Sequence, residues 1–159
     1  MLGNFKFHRC KLGDLVTFQR GKDLPRTSMI PGPYPVLGSN GIIGYHNQYI
    51  SEGPVIVIGR SGNVGKPFMV DGRAWPHNTS LYIKEFKNCD PSFIYYLLKT
   101  LNLANVAGGS AVPTLNRNHV HPLEVIVPTD ISIQRKIGEV LKTYDKKISL
   151  NNHINDNLA

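Results

Sequence analysis

The chain has only two cysteines, one tryptophan and no long apolar run. Cys10 and Cys89 lie far apart and form no C-x-x-C, so a thiolate metal knuckle is excluded, and with no secretory context a disulfide is not expected. The longest aliphatic run is Val55-Ile56-Val57-Ile58, far short of the roughly 20 residues a bilayer-spanning helix needs. The opening residues, MLGNFKFHRCKLG, hold no apolar stretch of the signal-peptide kind. Neither export nor membrane insertion is therefore expected, and the cytoplasm is the expected compartment. Acidic residues are also few, 11 against 18 Lys and Arg, which leaves a net charge of +7 and a pI near 9.5. Such an excess fits a polyanionic partner, and it equally fits a solvated basic surface.

Punctuation residues are plentiful, with 15 Gly and 11 Pro. They point to many turns and short strands rather than a helical bundle. Hydrophobic residues make up 41% of the chain, enough for the core of one domain and too many for a disordered chain.

The character changes near Pro128. Before it, short apolar runs alternate with Gly, Pro, Asn and Ser. Leu15-Val16-Thr17-Phe18 and Leu81-Tyr82-Ile83 read as strands, and Val55-Ile56-Val57-Ile58 as a buried one. The segment from Tyr34 to Tyr45 reads as a hairpin in which Asn40-Gly41 supplies the positive φ angles of a tight turn. Asp90-Pro91 predicts a helix start, with Asp90 as N-cap. Phe93, Ile94, Leu97, Leu98 and Leu101 follow at helical spacing. Gly108-Gly109-Ser110 opens a long loop, and Leu123-Glu124-Val125-Ile126-Val127 closes the body as a strand.

From residue 130 the pattern is one helix. Ile137, Leu141, Tyr144, Ile148, Asn151, Asn155 and Leu158 follow alternating steps of four and three, a heptad seam with Asn at two places. A helix folded onto its own domain is the competing reading. The narrow stripe, the length and the two Asn favour pairing with another helix. Five Lys and Arg and four Asp and Glu fall after residue 129, a net of +1, so +6 belongs to residues 1-129.

Catalytic and metal motifs fare poorly. Residues 59–66, GRSGNVGK, miss the P-loop spacing, and Pro67 blocks the helix that should follow. What remains is a loop presenting Arg60, Ser61, Asn63 and Lys66. Asp90-Pro91-Ser92-Phe93 comes close to the loop of amino-methyltransferases but lacks the glycine-rich strand–turn that would hold S-adenosylmethionine. Asp71, Glu85 and Lys87 mimic a Mg²⁺ nuclease site, and Asp71-Gly72 also reads as a plain turn. His119 and His121 would share one face of a strand, two ligands without a third. Trp75 is expected to anchor a polar loop that offers His77, Asn78 and Thr79 at the surface.

Taken together, the segments resemble one family. Lys11-Leu12-Gly13-Asp14, Gly59-Arg60-Ser61-Gly62, Val64-Gly65-Lys66 and residues 75–81 match in order, followed by Asp90-Pro91-Ser92-Phe93-Ile94-Tyr95-Tyr96-Leu97-Leu98. Gly109-Ser110-Ala111-Val112-Pro113-Thr114-Leu115-Asn116, then Pro128 and Gln134-Arg135-Lys136-Ile137, complete the set. The chain is similar to one target-recognition domain, with the start of a conserved helix, of the specificity subunits of type I restriction–modification systems.

The resemblance implies an α+β fold. A strand-rich, mostly antiparallel recognition domain with one packed helix near residues 91–103 would occupy 1-129. A coiled-coil-type spacer or dimerisation helix would occupy 130-159. It implies no catalysis and no cofactor in this chain, because S-adenosylmethionine and Mg²⁺ belong to partner subunits. Double-stranded DNA, modification subunits and a restriction subunit are the implied partners, and one half of a bipartite site the implied target. A whole subunit has two domains and two helices, so a weak homodimer through Ile137, Leu141, Tyr144 and Ile148 is expected. Arg20, Lys22, Arg60, Lys66 and Arg117 are expected to hold phosphates from one broad face. Asn63, His77, Asn78, Thr79 and Asn118 are the candidate base readers, since Asn can hold adenine bidentately. A stand-alone DNA-binding protein and a Mg²⁺-dependent nuclease are the alternative functions.

Overall fold

A computed structural model describes residues 6–107 and 114–158. Gly108, Gly109, Ser110, Ala111, Val112 and Pro113, which the sequence reading assigned to a loop and to a matching motif, lie outside the described residues, as does the side chain of Leu158.

The chain begins with β1 (Phe7–Lys11) and a helical turn α1 (Leu12–Leu15). Then come β2 (Val16–Arg20), β3 (Tyr34–Gly38), β4 (Gly41–His46), β5 (Val55–Gly59), β6 (Pro67–Val70), β7 (Trp75–Pro76) and β8 (Ser80–Phe86). Helix α2 (Pro91–Thr100), a 3-10 turn at Leu103–Val106, the short α3 (Arg117–Val120), β9 (Glu124–Pro128) and the 28-residue α4 (Ile131–Leu158) complete the order. Three sheets form, in the orders β1-β9, β2-β8-β5-β6 and β4-β3-β7. Among the described residues the two-residue β3–β7 pairing and the single Lys22–His77 bridge are parallel, and the other strand pairings are antiparallel.

The central strand explains its own sequence. Successive residues of a strand face opposite sides. In β5, Ile56 and Ile58 enter a core with Phe18, Leu81, Ile83 and the α2 side chains Phe93, Ile94 and Leu98. Val55 and Val57 enter a second core with Leu37, Ala74 and Tyr82. Both faces are buried, so the strand reads as an unbroken aliphatic run.

The hairpin forms at the predicted place, but its turn differs. Gly38 pairs with Gly41 across Ser39 and Asn40. Gly41 takes φ +94, and Asn40 does not adopt a positive φ. The one left-handed position falls on the residue without a Cβ, where it is least strained. The α2 cap is as read: the Asp90 carboxylate accepts from Phe93 N–H at 2.9 Å. The expected His119-x-His121 strand is instead α3, with Asn116 as its cap, accepting from Asn118 N–H at 2.9 Å.

Helix α4 uses two faces. Gln134, buried, accepts from the Asp90 backbone N–H at 3.0 Å and donates to the Pro128 carbonyl at 2.9 Å. Gly138 lies against the start of α2, Lys142 pairs with Asp71 at 3.1 Å, and Asp145 accepts from Tyr96 and Lys99. The seam of Leu141, Tyr144 and Ile148 lies around the helix from that face and is exposed, Tyr144 at 60%. The competing readings are thus both present: the helix folds onto its own domain by one face, with Ile137 of the expected seam packed against the core, and leaves Leu141, Tyr144 and Ile148 open. No helix among the described residues is long and apolar enough to cross a membrane.

Candidate nucleic-acid interface

Strand direction gathers the cations. In the central sheet Arg20 pairs with Leu81, Gly59 with Ser80, and Ile58 with Pro67. The C-terminal ends of β2 and β5 and the N-terminal ends of β6 and β8 therefore share one edge of the sheet. Arg20 closes β2 there, Arg60 follows β5, and Lys66 precedes β6. The opposite ends carry Asp71 and the approach to Asp90, both of which α4 contacts. The body thus has a cationic end and a helix end.

Backbone bonds tie three loops into one surface. Arg60 N–H donates to the Thr79 carbonyl at 2.8 Å, and Leu115 N–H donates to the Arg60 carbonyl at 2.9 Å. That second bond brings α3 to the same edge. Val64 packs into the core beneath the glycine loop and fixes its inner side. A cleft of about 550 Å³ results, lined by Gln19, Arg20, Arg60, Asn116, Arg117 and Asn118, among others. Arg20, Arg60 and Arg117 thus meet at one opening. Lys66 and Asn63 line a neighbouring notch of about 220 Å³ with Ser39, Asn40 and Phe68. Lys22 lies beyond β2, bridged to His77.

These cations are left unneutralised. Among the described residues the ion pairs join Arg9 to Glu124, Arg73 to Glu52, Lys99 to Asp145 and Lys142 to Asp71, and His77 Nε2 lies 3.8 Å from an Asp23 oxygen. None involves Arg20, Lys22, Arg60, Lys66 or Arg117. Burial, and then the charge of Arg20, pull the Arg60 pKa below its ordinary value. Desolvation and like-charge repulsion both disfavour the charged guanidinium there, and an anion in the cleft would offset both.

The candidate base readers divide. Asn63 is exposed, and Asn118 lines the arginine cleft. The other three are engaged within the chain. His77 Nδ1 lies 3.1 Å from Thr79 Oγ1, and the Asn78 amide donates to Asp23 at 2.7 Å. None of the three is fully exposed. Trp75 is half-buried. It ties the loop down by donating from Nε1 to the Lys22 carbonyl at 3.3 Å and by packing edge-on to His46. Gln19, Ser39, Asn40 and Asn116 are lining residues the sequence reading did not single out. Asn40 carried a signal, but only as a turn residue.

The other constellations disperse. Asp71 holds Lys142, Glu85 accepts from Thr17 at 3.2 Å, and Lys87 donates to the Gly13 carbonyl at 2.9 Å. His119 lies 3.3 Å from the Asn116 amide, and His121 accepts from Phe18 N–H at 2.9 Å. Among the described residues no group of three or more His, Cys, Asp and Glu could hold a metal ion. Asp90 is occupied by its cap and by Gln134, as a structural residue would be.

Comparison with known proteins gives a consistent result. The family model described as type I restriction modification DNA specificity domain matches residues 6–159. The specificity subunit of the type I restriction enzyme EcoprrI of Escherichia coli is 26% identical over 154 residues, covering 93% of this chain and 37% of that protein. The type I restriction-modification S subunit of M. genitalium superposes with a TM-score of 0.80 at 17% identity, over 94% of this chain and 41% of that one. The HsdS subunit of Thermoanaerobacter tengcongensis superposes at 0.68 and 11% identity, over 91% and 38%. The chain spans about two fifths of the length of these relatives.

Proposed function

Because the chain belongs to the type I restriction-modification DNA specificity family, we propose that it reads one half of a bipartite DNA site for a methyltransferase or restriction complex. The observation that carries this is the unpaired cationic end. Three arginines share one cleft with, among the described residues, no carboxylate on any of them, while Arg9, Arg73, Lys99 and Lys142 elsewhere are paired. A duplex laid across that end would place phosphates near Arg20, Arg60, Lys66 and Arg117, with Lys22 at the margin. Asn63 and Asn118 would then be nearest to base edges. His77, Asn78 and Thr79 support the loop from behind in this reading.

The recognition domain takes residues 1-129, and the helix of 130-159 is the spacer. The chain carries out no chemistry and holds no cofactor. Modification subunits supply S-adenosylmethionine-dependent methylation, a restriction subunit supplies cleavage, and the complex works in the cytoplasm. Through the exposed seam of α4, residues 1–159 pair weakly with a second copy. The test is methylome sequencing of the host with and without an intact copy of the gene. Methylation of one bipartite motif should vanish in the knockout, and an unchanged methylome would refute the reading.

A further inference from the structure

We propose that Asn40, at the tip of the β3–β4 hairpin, is a specificity-determining residue that reads a single base edge in concert with Asn63. This deepens the DNA-reading role proposed above and rests on it.

The tip lies against the glycine loop. Gly41, at φ +94, closes the turn, and a Cβ added there would meet the Phe68 ring at 3.4 Å. Ser39 packs against Gly59 and Gly62 of the glycine loop. The hairpin tip and the glycine loop therefore lie side by side.

Asn40 and Asn63 line the same notch, with Lys66 at its rim and Phe68 in its wall. Both asparagines are exposed. Among the described residues no hydrogen bond engages either side-chain amide. Asn78 differs, since its amide is spent on Asp23. A free carboxamide carries a donor and an acceptor side by side, the pattern that matches N6 and N7 of adenine in the major groove. Beside it, Lys66 supplies the charge that holds the flanking phosphate. The notch, at about 220 Å³, is on the scale of a single base edge.

The test uses the chain with its modification partners in the host. Methylation is read at the target and at every single-base variant of it. The wild type first establishes the target, and a wild type without sequence-specific methylation would overturn the DNA-reading role and this inference with it. Given a target, Asn40→Ser, which keeps a turn-favouring residue at the tip, should lower discrimination roughly 10- to 100-fold at one base pair. Asn63→Ala should relax the same pair or its immediate neighbour. Asn40→Asp, which keeps an acceptor and loses the donor, should shift preference there from adenine towards cytosine. An unchanged pattern in Asn40→Ser would overturn the assignment while leaving the DNA-reading role intact. So would a uniform loss over all sites, which marks a backbone contact.

Discussion

His121 joins the two sides of the arginine cleft. Its Nε2 accepts from Phe18 N–H at 2.9 Å, which fixes the neutral tautomer with the proton on Nδ1. The bond falls where the β2–β8 register slips, between Thr17 and Phe18. The carbonyl of His121 also accepts from Gly13 N–H at 3.0 Å. Arg20 sits two residues beyond Phe18 and Arg117 four residues before His121, so this imidazole links the strand that carries one to the turn that carries the other. Burial, then the charges of Lys87 and Arg117, hold its pKa below the ordinary value. A protonated ring could no longer accept from Phe18. The unfolded chain takes up this proton near pH 6.5 and the folded chain only lower. Stability from this residue is therefore complete above about pH 6.5 and is lost as pH falls through the folded pKa. Melting temperature followed from pH 7.5 to 5 should decline, and His121→Gln should flatten that decline and lower the melting temperature at pH 7.5. An identical pH profile in the variant would show that His121 stays neutral or contributes nothing.

At the scale of elements, the joint between α4 and α2 turns on one glycine. A Cβ on Gly138 would lie 2.8 Å from Phe93 N and from Ser92 Cβ, and 3.0 Å from the capping carboxylate of Asp90. Two of those partners are the donor and acceptor of the α2 cap, so the crowding cannot be relieved by turning a flexible side chain. Alanine is the better helix former by about 1 kcal/mol, yet overpacking of a tight contact costs about 1–3 kcal/mol. Gly138→Ala should therefore lower the melting temperature, and a rise would mean that the helices part easily. The sequence showed this glycine as the lone interruption of the tail, but its partner lies some 45 positions back and no periodicity points to it. Other differences have the same origin. The strands of the central sheet were legible because burial on both faces leaves a run or an alternation of apolar residues. β1 was not, because Phe7-His8-Arg9-Cys10-Lys11 is mostly exposed and is a strand only through its long-range pairing with β9. The α3 turn, four residues long, is too short to show a period. The cationic residues were legible one by one as loop positions, and of them Arg20, Arg60 and Arg117 line one cleft. Their convergence on one sheet edge follows from strand pairing, and no local sequence window contains that.

At the scale of the molecule, α4 has one face too many for a single domain. Its Gln134, Gly138, Lys142 and Asp145 face the body, and beyond Asp145 every residue from 146 to 157 is exposed. At about 100° per residue, Ile137, Leu141, Tyr144 and Ile148 form a stripe roughly a quarter turn away. Ile137 and Leu141 also line an apolar groove of about 400 Å³ with Phe7, Ile133 and Val140. Ile148 is 58% exposed and Phe7 57%. A contiguous apolar strip of this kind is unfavourable in water and calls for a partner surface. A second copy of residues 1–159 has a helix that matches, and a two-fold pairing would set the stripes against each other. It would also hold two cationic ends apart, since each sits at the end of its body away from α4. The attraction is limited, because Asn151 and Asn155 continue the stripe and a buried Asn weakens a helix seam while fixing its register. Residues 1–159 should therefore form a homodimer that dissociates on dilution. Leu141→Asp or Ile148→Asp places a charge in the seam and should leave monomer alone, with an unchanged circular dichroism spectrum because neither side chain belongs to the buried core. Sedimentation at rising concentration reads all three proteins. A wild type that stays monomeric, or a dimer that survives both substitutions, would refute pairing through this seam.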